Sequence, residues 1–410
     1  MKDDSIEISK KRLPLRIALF ILALAVAIGS FVIGINRKSG NVPGYAVISA
    51  RADGDAPRYA TRFRLTYRFG GSSRAIRTQK NEIADAYSDA LSRLYKLLDP
   101  ENSYPGFAGN LADLNRHPNQ DYTITPELFA ILADAMERTE RGEGFSIYAA
   151  PLLAEWESIA YASDAAAFDP VHNPEEAERL REIAAQCADR GNCRLEIVDE
   201  AAGVVRLNVS EAYQAFLQAY ELPRTVLDLG QMKDAYILRG LAAALEERGF
   251  ADGFLNTVGG LTVSLSGPLE GEYEILSYVN QSVQLAASVP VTPGAASAAF
   301  TAFPTEEGSA GYYAADGLMR CAARPAAAED APISAVFVLR RDGDVAAACY
   351  EALCLFLGTE VPENVSTASD LLVYSLMAED GTSLYAFGKE RDQILQKDGF
   401  RLIFNDILSN

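Results

Sequence analysis

Histidine is almost missing from this chain of 410 residues, which carries two. His117 and His172 stand beside Pro and Asn in loop-like sequence and read as surface residues rather than ligands. Neither lies near a Gly-x-Ser-x-Gly turn, so a Ser-His-Asp nucleophile is not supported. Cysteine is sparse too: Cys187, Cys193, Cys321, Cys349 and Cys354 make no metal-binding spacing. Cys187 and Cys193 flank the polar turn 188–192 and either pair outside the cell or stay as buried thiols. Cys349 and Cys354 lie in an apolar helical stretch and read as core. Positive charge is the third shortage, with 37 Lys and Arg against 56 Asp and Glu. That balance argues against nucleic acid and against docking on anionic lipid, which both need clustered basic side chains. No repeat of fixed period is present.

One long hydrophobic run is present. Residues 17–35 contain no charged side chain, and these 19 residues at about 1.5 Å each match a bilayer core of about 30 Å. Lys10, Lys11, Arg12 and Arg16 precede the run, and Arg37 and Lys38 follow it. The heavier basic flank stays cytoplasmic, which gives a short cytoplasmic segment at 1–16, a transmembrane anchor at 17–35 and an outward-facing remainder. A cleaved signal peptide is the rival, but its apolar region is normally shorter. No cysteine lies near the run, which excludes a lipid-modified anchor. The first 38 residues hold seven basic and three acidic residues, so the rest carries 30 against 53, a net −23. Residues 36–59 mix Gly, Pro and Asp and suit a linker, and 60–410 is long enough for a large core.

Patterning within 60–410 predicts an α+β domain. Arg62–Phe69 alternates as a strand with Phe63, Leu65 and Tyr67 on one face. Amphipathic helices are expected at 80–98, 126–138, 175–188 and about 232–248. Strands are expected at 193–198 and 204–208, short strands across 262–300, and a loop-like stretch at 304–332. A buried strand at 333–339, a helix at about 344–357 and strands near 371–376 and 383–387 follow.

The stretch 227–261, LDLGQMKDAYILRGLAAALEERGFADGFLNTVGGL, is the most informative. It reads as a loop, an amphipathic helix that stops at Gly249, and a strand closing on Gly259-Gly260, where backbone can approach another group. As a string it resembles the flavin-binding core of the FAD:protein FMN transferases (ApbE-type), which carry Asp-Leu-Gly-Gly-x-Ala-Lys-Gly-Tyr-Ala, a helix and a Gly-Gly-Asp strand end. Upstream, Gly144–Leu152 with Trp156 looks like the family's Gly-Ala-Phe-Asp-Pro segment and its following Trp. Leu97–Ser103 with Leu114-Asn115 is similar to its Tyr-Asp-x-x-Ser turn, and Glu351–Gly358 to its late Ala-Leu-rich helix. The motifs occur in family order over roughly residues 60–400.

The resemblance implies an ApbE-type flavin transferase fold behind one N-terminal transmembrane helix. It implies Mg-dependent transfer of FMN from FAD to a Thr or Ser of a partner redox protein, here an exported or membrane flavoprotein. It places flavin contacts at Phe145, Ser146, Asp228, Asp234, Gly259, Gly260 and Ser297. The family's cation is held by an Asp and a Thr four residues apart on the late helix, on one helix face. A backbone carbonyl from the Asp-Leu-Gly loop completes the set. Those positions fall on Ala348 and Ala352, which offer no side-chain oxygen to a hard cation. Only the Gln231 carbonyl remains as a weak candidate ligand, while Asp344 and Glu351 read as surface charge. The family Lys aligns with Asp234, with Lys233 one residue early, and a carboxylate there repels phosphate. The family's later Asp and His are also replaced, at 295–300 and 313–317. FAD therefore stands as the implied ligand, while magnesium is in doubt. Two readings compete: a family member with impaired catalysis, and a non-catalytic flavin-binding or partner-binding module on the same fold.

Overall fold

In the computed structural model, the described residues are 42–404 apart from 52–60, 142–143, 161, 163, 281, 304–311, 314–318, 321–332, 359–367 and 377–380. The expected anchor at 17–35 lies outside the described residues. Among those described, no helix is long and apolar enough to cross a membrane.

The frame is a nine-stranded sheet whose spatial order repeats its chain order. Its strands are β1 (Gly44–Ile48), β2 (Phe63–Phe69), β3 (Gly253–Thr257), β4 (Leu261–Ser264) and β5 (Ala296–Thr301). They continue as β6 (Ile333–Arg340), β7 (Leu371–Leu376), β8 (Ser383–Phe387) and β9 (Arg401–Phe404). Neighbours are antiparallel except β8 and β9, which run parallel. Between β2 and β3 the chain makes α1 (Ser73–Leu98), α2 (Leu111–Arg116), α3 (Pro126–Glu140) and α4 (Ala150–Ala160). It goes on through α5 (Pro174–Ala188), α6 (Glu211–Ala219) and α7 (Met232–Glu247), and α8 (Val345–Phe356) joins β6 to β7. A small sheet of 121–123, 193–199 and 204–209 sits within the helical insert, and another of 272–279, 282–290 and 395–396 packs on the main sheet through a second core.

Burial explains the sequence pattern of β6. Val336 and Val338 belong to the core shared with the helices, while Phe337 and Leu339 belong to a second core with Tyr273, Ile275 and Val289. A strand covered on both faces reads as a continuous apolar run rather than an alternating one. β2 faces one layer only, so Phe63, Leu65 and Tyr67 are buried in alternation.

Several expectations change. Gly44–Ile48, inside the expected linker, is an edge strand paired with β2, its Ile48 buried while Tyr45 and Val47 are exposed. Glycine and proline on either side mask this short alternating run. Helix α1 starts at Ser73 rather than 80, because the Ser72 hydroxyl accepts from the Ala75 N–H and caps it. Helices α2, α4 and α6 had not been expected; α2 and α6 are only 6 and 9 residues long. Cys187 and Cys193 are both free thiols and buried, Cys187 contacting the Tyr213 hydroxyl at 3.4 Å. Burial pushes both thiols up, Cys193 to about 12.

Candidate functional site

The site is built on two backbone turns. The first carries the chain from β3 to β4 through Val258-Gly259-Gly260. Gly260 has φ +86°, and a Cβ there would lie 2.0 Å from the Ala299 carbonyl oxygen of β5. Its own carbonyl accepts from the Ala299 N–H at 2.9 Å, so strand and turn touch backbone to backbone. Only glycine fits that approach. The Thr257 hydroxyl accepts from the Leu261 N–H at 3.1 Å and closes the turn.

The second turn, Asp228–Gln231, leads into α7. The Asp228 carboxylate accepts from the Gly230 N–H at 2.8 Å, and the Asp228 N–H donates to the Ile147 carbonyl at 2.9 Å. Asn115 holds the strand of chain before it. Its side-chain oxygen accepts from Val226 and Leu227 N–H, and its amide donates to the Leu227 and Pro100 carbonyls. The Leu114-Asn115 turn thus positions the Asp-Leu-Gly loop. At α7's first turn sits Asp234, buried, where the helix dipole favours a carboxylate. Arg62, from the loop before β2, donates to it at 2.7 Å.

Between these turns lies a cavity of about 420 Å³. Asp234, Gly259, Gly260 and Ser297 line it, together with Gln231. Phe145, Ser146 and Asp228 do not. Phe145 is half-buried on the loop that passes α8 so tightly that a Cβ at Gly144 would lie 2.9 Å from Cys354 Cα. The Ser146 hydroxyl accepts from the Tyr148 N–H and orders its own turn, as Asp228 does.

Sequence reasoning missed Arg62 and the polar pair Asn256-Thr257, which also line the cavity. The only signal for the pair was its place just before Gly259-Gly260, and for Arg62 there was none, since its partner lies 172 residues away. Asn256 Oδ1 is buried and without a hydrogen-bond partner among the described residues. A buried acceptor left unmade is costly, so the arrangement suits a ligand that brings an N–H or O–H. The far wall is aromatic, with Phe300 stacked on Phe356 of α8 at 6.0 Å.

Charge is unevenly supplied. Arg62 is the only basic residue among the described lining residues, against Asp234 and Glu274. Lys233 is half-buried; burial lowers its pKa, but Asp228, Asp234 and Asp99 raise it further than burial lowers it. Glu157 of α4 is pushed up by desolvation first and then by the charge of Asp228.

Among the described residues, the positions expected to hold a divalent cation offer it no side-chain oxygen. Ala348 and Ala352 are fully buried and neither lines the cavity. The Cys349 thiol, pushed up by burial and then by Asp234, approaches the Gln231 carbonyl at 4.0 Å and puts sulfur where a hard cation wants oxygen. Asp344 caps α8 by accepting from the Ala347 N–H at 3.0 Å, and Glu351 accepts from the Ser369 hydroxyl. Among the described residues no group of three or more His, Cys, Asp or Glu is placed to hold a metal ion. Residues 314–317, where the family's His-Ile-Ile-Asp-Pro motif aligns, lie outside the described residues.

No protein-family model matches the sequence, and no curated protein matches it either. Solved structures do match. The flavin transferase ApbE of Vibrio cholerae superposes with TM-score 0.55 at 14% identity, covering 86% of this chain and 100% of its own. The ApbE protein of Thermotoga maritima gives TM-score 0.53 at 15% identity, covering 81% and 94%. The apo flavinyl transferase ApbE of Pseudomonas stutzeri gives 0.52 at 13%, covering 85% and 96%. The chain has the fold of the ApbE flavin transferases, with a strongly diverged sequence.

Proposed function

We propose that this chain is a membrane-anchored, outward-facing protein of the FMN-transferase type that keeps a flavin cavity and has lost most of the magnesium-dependent transfer. The observation that carries this reading is the composition of helix α8. Ala348 and Ala352 stand where the family's cation ligands align, both fully buried and without side-chain oxygen. Splitting a pyrophosphate needs compensation for the charge that develops, which a bound cation supplies in such enzymes. Neither of these two positions supplies it here.

The ligand-facing parts serve binding. Gly259, with no Cβ, lets a ring approach within reach of Asp234, whose Oδ2 lies 3.9 Å from where that Cβ would be. Asn256 Oδ1 accepts from a ring imide or a hydroxyl, and the Phe300 and Phe356 side accommodates an apolar ring. Asp234 holds Arg62 against the cavity wall. The partner served is an exported or membrane redox protein.

Equilibrium dialysis of the full-length protein in detergent against FAD, with magnesium or with EDTA, tests the reading. The expected result is flavin retained equally in both. Absence of retention in both contradicts flavin binding, and retention only with magnesium contradicts the loss of the cation. For the topology, protease added to intact cells should cleave residues 39–410; a domain spared until lysis would contradict the outward orientation.

A further inference from the structure

We propose that the outer face of β1 and β2 is a membrane-docking surface, which lays the domain on anionic phospholipid directly beyond the anchor. The inference rests on the anchored, outward-facing reading above and adds how the domain sits.

Charge is segregated along the chain. Acid outweighs base overall, but residues 39–80 carry eight basic side chains against two acidic, a net +6, while 81–410 carry 22 against 51, a net −29. The clustered basic side chains that a lipid surface needs are therefore present locally, in the segment that follows the apolar run. The fold gathers part of that segment. Gly44 pairs with Phe69, so the start of β1 lies at the end of β2, where Arg74 and Arg77 begin α1, both exposed. Arg68 is the partner of Tyr45, and Arg64 lies two residues from Thr66, the partner of Val47. Cross-strand partners and alternate residues share a face, so Arg64 and Arg68 stand on the side of Tyr45 and Val47. Arg51 and Arg62 are engaged elsewhere, by Asp85 and Asp234. Asp252 offsets Arg68 from 3.9 Å, which leaves Arg64, Arg74 and Arg77, all exposed, as the cations of the patch.

The same face carries uncovered apolar side chains. Ala46 and Ile48 turn inward to the core with Leu65 and Tyr67, while Val42, Tyr45 and Val47 are 42%, 43% and 54% exposed. The sheet of 272–279, 282–290 and 395–396 packs on β6, β7 and β8 through the second core, to which neither β1 nor β2 contributes. At its border Glu270 reaches Tyr45 through its backbone, the N–H donating to the hydroxyl at 3.3 Å. A tyrosine and two valines beside arginines suit a membrane–water interface, where the ring sits at headgroup level and guanidiniums meet phosphate.

Reach selects the lipid surface over a soluble partner. Nine residues lead from Ile35, the end of the apolar run, to Gly44, and at no more than about 3.6 Å each they span at most about 30 Å. Arg37 and Lys38 of that tether carry the same sign as the patch. A face tethered this closely meets the bilayer at high effective concentration, so a modest patch suffices.

The test reconstitutes the full-length protein into vesicles of phosphatidylcholine alone, or of equal parts phosphatidylcholine and phosphatidylglycerol. An environment-sensitive fluorophore is placed on Val47→Cys or, as a control in the small sheet of the helical insert, on Val198→Cys, and signal from protein without an introduced cysteine is subtracted. Lipids spin-labelled near the headgroup report contact by quenching. Position 47 should be quenched at least about twofold more with phosphatidylglycerol than without it, and position 198 little in either. Salt at about 1 M, where the screening length is about 3 Å, should abolish that difference. Charge reversal at three exposed positions, Arg64→Glu with Arg74→Glu and Arg77→Glu, should abolish it as well. Quenching at 47 no stronger than at 198, or equal with both lipids, would overturn the inference. Shielding of position 47 that follows the protein-to-lipid ratio rather than lipid charge would also overturn it and give the face to a second copy of the chain. Carbonate extraction of the same vesicles reads the anchor separately. Protein that resists carbonate but is not quenched at position 47 keeps the anchor and refutes the docking face, whereas protein stripped by carbonate refutes the anchor and the inference built on it.

Discussion

The glycine turn that lines the cavity and helix α8 beside it differ in what holds them as they are. The turn wall, Val258–Thr262, depends on backbone conformation: Gly260 at φ +86° presses against the Ala299 carbonyl, and any side chain would collide. Helix α8 carries Ala348, Cys349 and Ala352 where the resemblance expects cation ligands, all fully buried and none lining the cavity. The sheet needs Gly260 whether or not a ligand binds, because β4 and β5 pair through this corner. Oxygen ligands give packing nothing, and replacing them by alanine removes a desolvation cost. Fold and chemistry can therefore separate, with the geometry kept by folding and the chemistry kept only by use.

The sharpest way to break this comparison is to place an oxygen on the buried face of α8. Ala348→Asp places a carboxylate at a fully buried position and should cost about 3–5 kcal/mol of stability, read from urea unfolding. A change near zero would mean that this face of α8 opens to the cavity. Next comes the turn wall, where Gly260→Ala should cost about 2–4 kcal/mol from steric overlap and backbone strain together. Its neighbour should behave differently. A Cβ at Gly259 finds its nearest atom, the Thr257 hydroxyl, at 3.6 Å, so Gly259→Ala should cost less than about 1 kcal/mol. The same change should weaken flavin retention, since the methyl enters the cavity beside Asp234; equal stability losses at the two glycines would refute the distinction drawn between them.

The smallest expected effect is in acid. Burial raises the Asp99 carboxyl, but donation from the Tyr104 hydroxyl and from the Glu101 and Asn102 N–H groups outweighs it and holds the pKa below the ordinary value. A depressed carboxylate contributes stability above its unfolded pKa and loses it as pH falls through the folded one. Asp99→Asn should therefore flatten part of the stability loss below about pH 4, seen as a shallower drift of the urea midpoint. An unchanged drift would remove Asp99 from the acid response.

Much of the frame was legible in the sequence, and the reason is visible in β6, β7 and β8. Ala335–Leu339 is apolar throughout because two cores claim opposite faces, and 371–376 and 383–387 fall where their runs end. Helix α7 was legible because its periodicity is long and Gly249 stops it. Edge strand β1 was not, since five residues inside a Gly- and Pro-rich stretch gain their pairing only from β2. Within the site, glycines were legible because conformation alone demands them. Arg62 was not, because an ion pair 172 residues apart leaves no local trace. Asp228 and Ser146 were placed in the ligand contact by resemblance; here each accepts from a local N–H and neither lines the cavity.

The central claim is that a flavin cavity persists without the cation-dependent chemistry, and a transfer assay tests it most directly. Full-length protein is incubated with FAD, magnesium and a Thr- or Ser-containing acceptor peptide, and the peptide's mass is followed over time. The account predicts no magnesium-dependent gain of covalent flavin on the peptide beyond the level without protein. Robust transfer that EDTA abolishes would contradict it, and would mean that oxygen ligands other than positions 348 and 352 hold the cation.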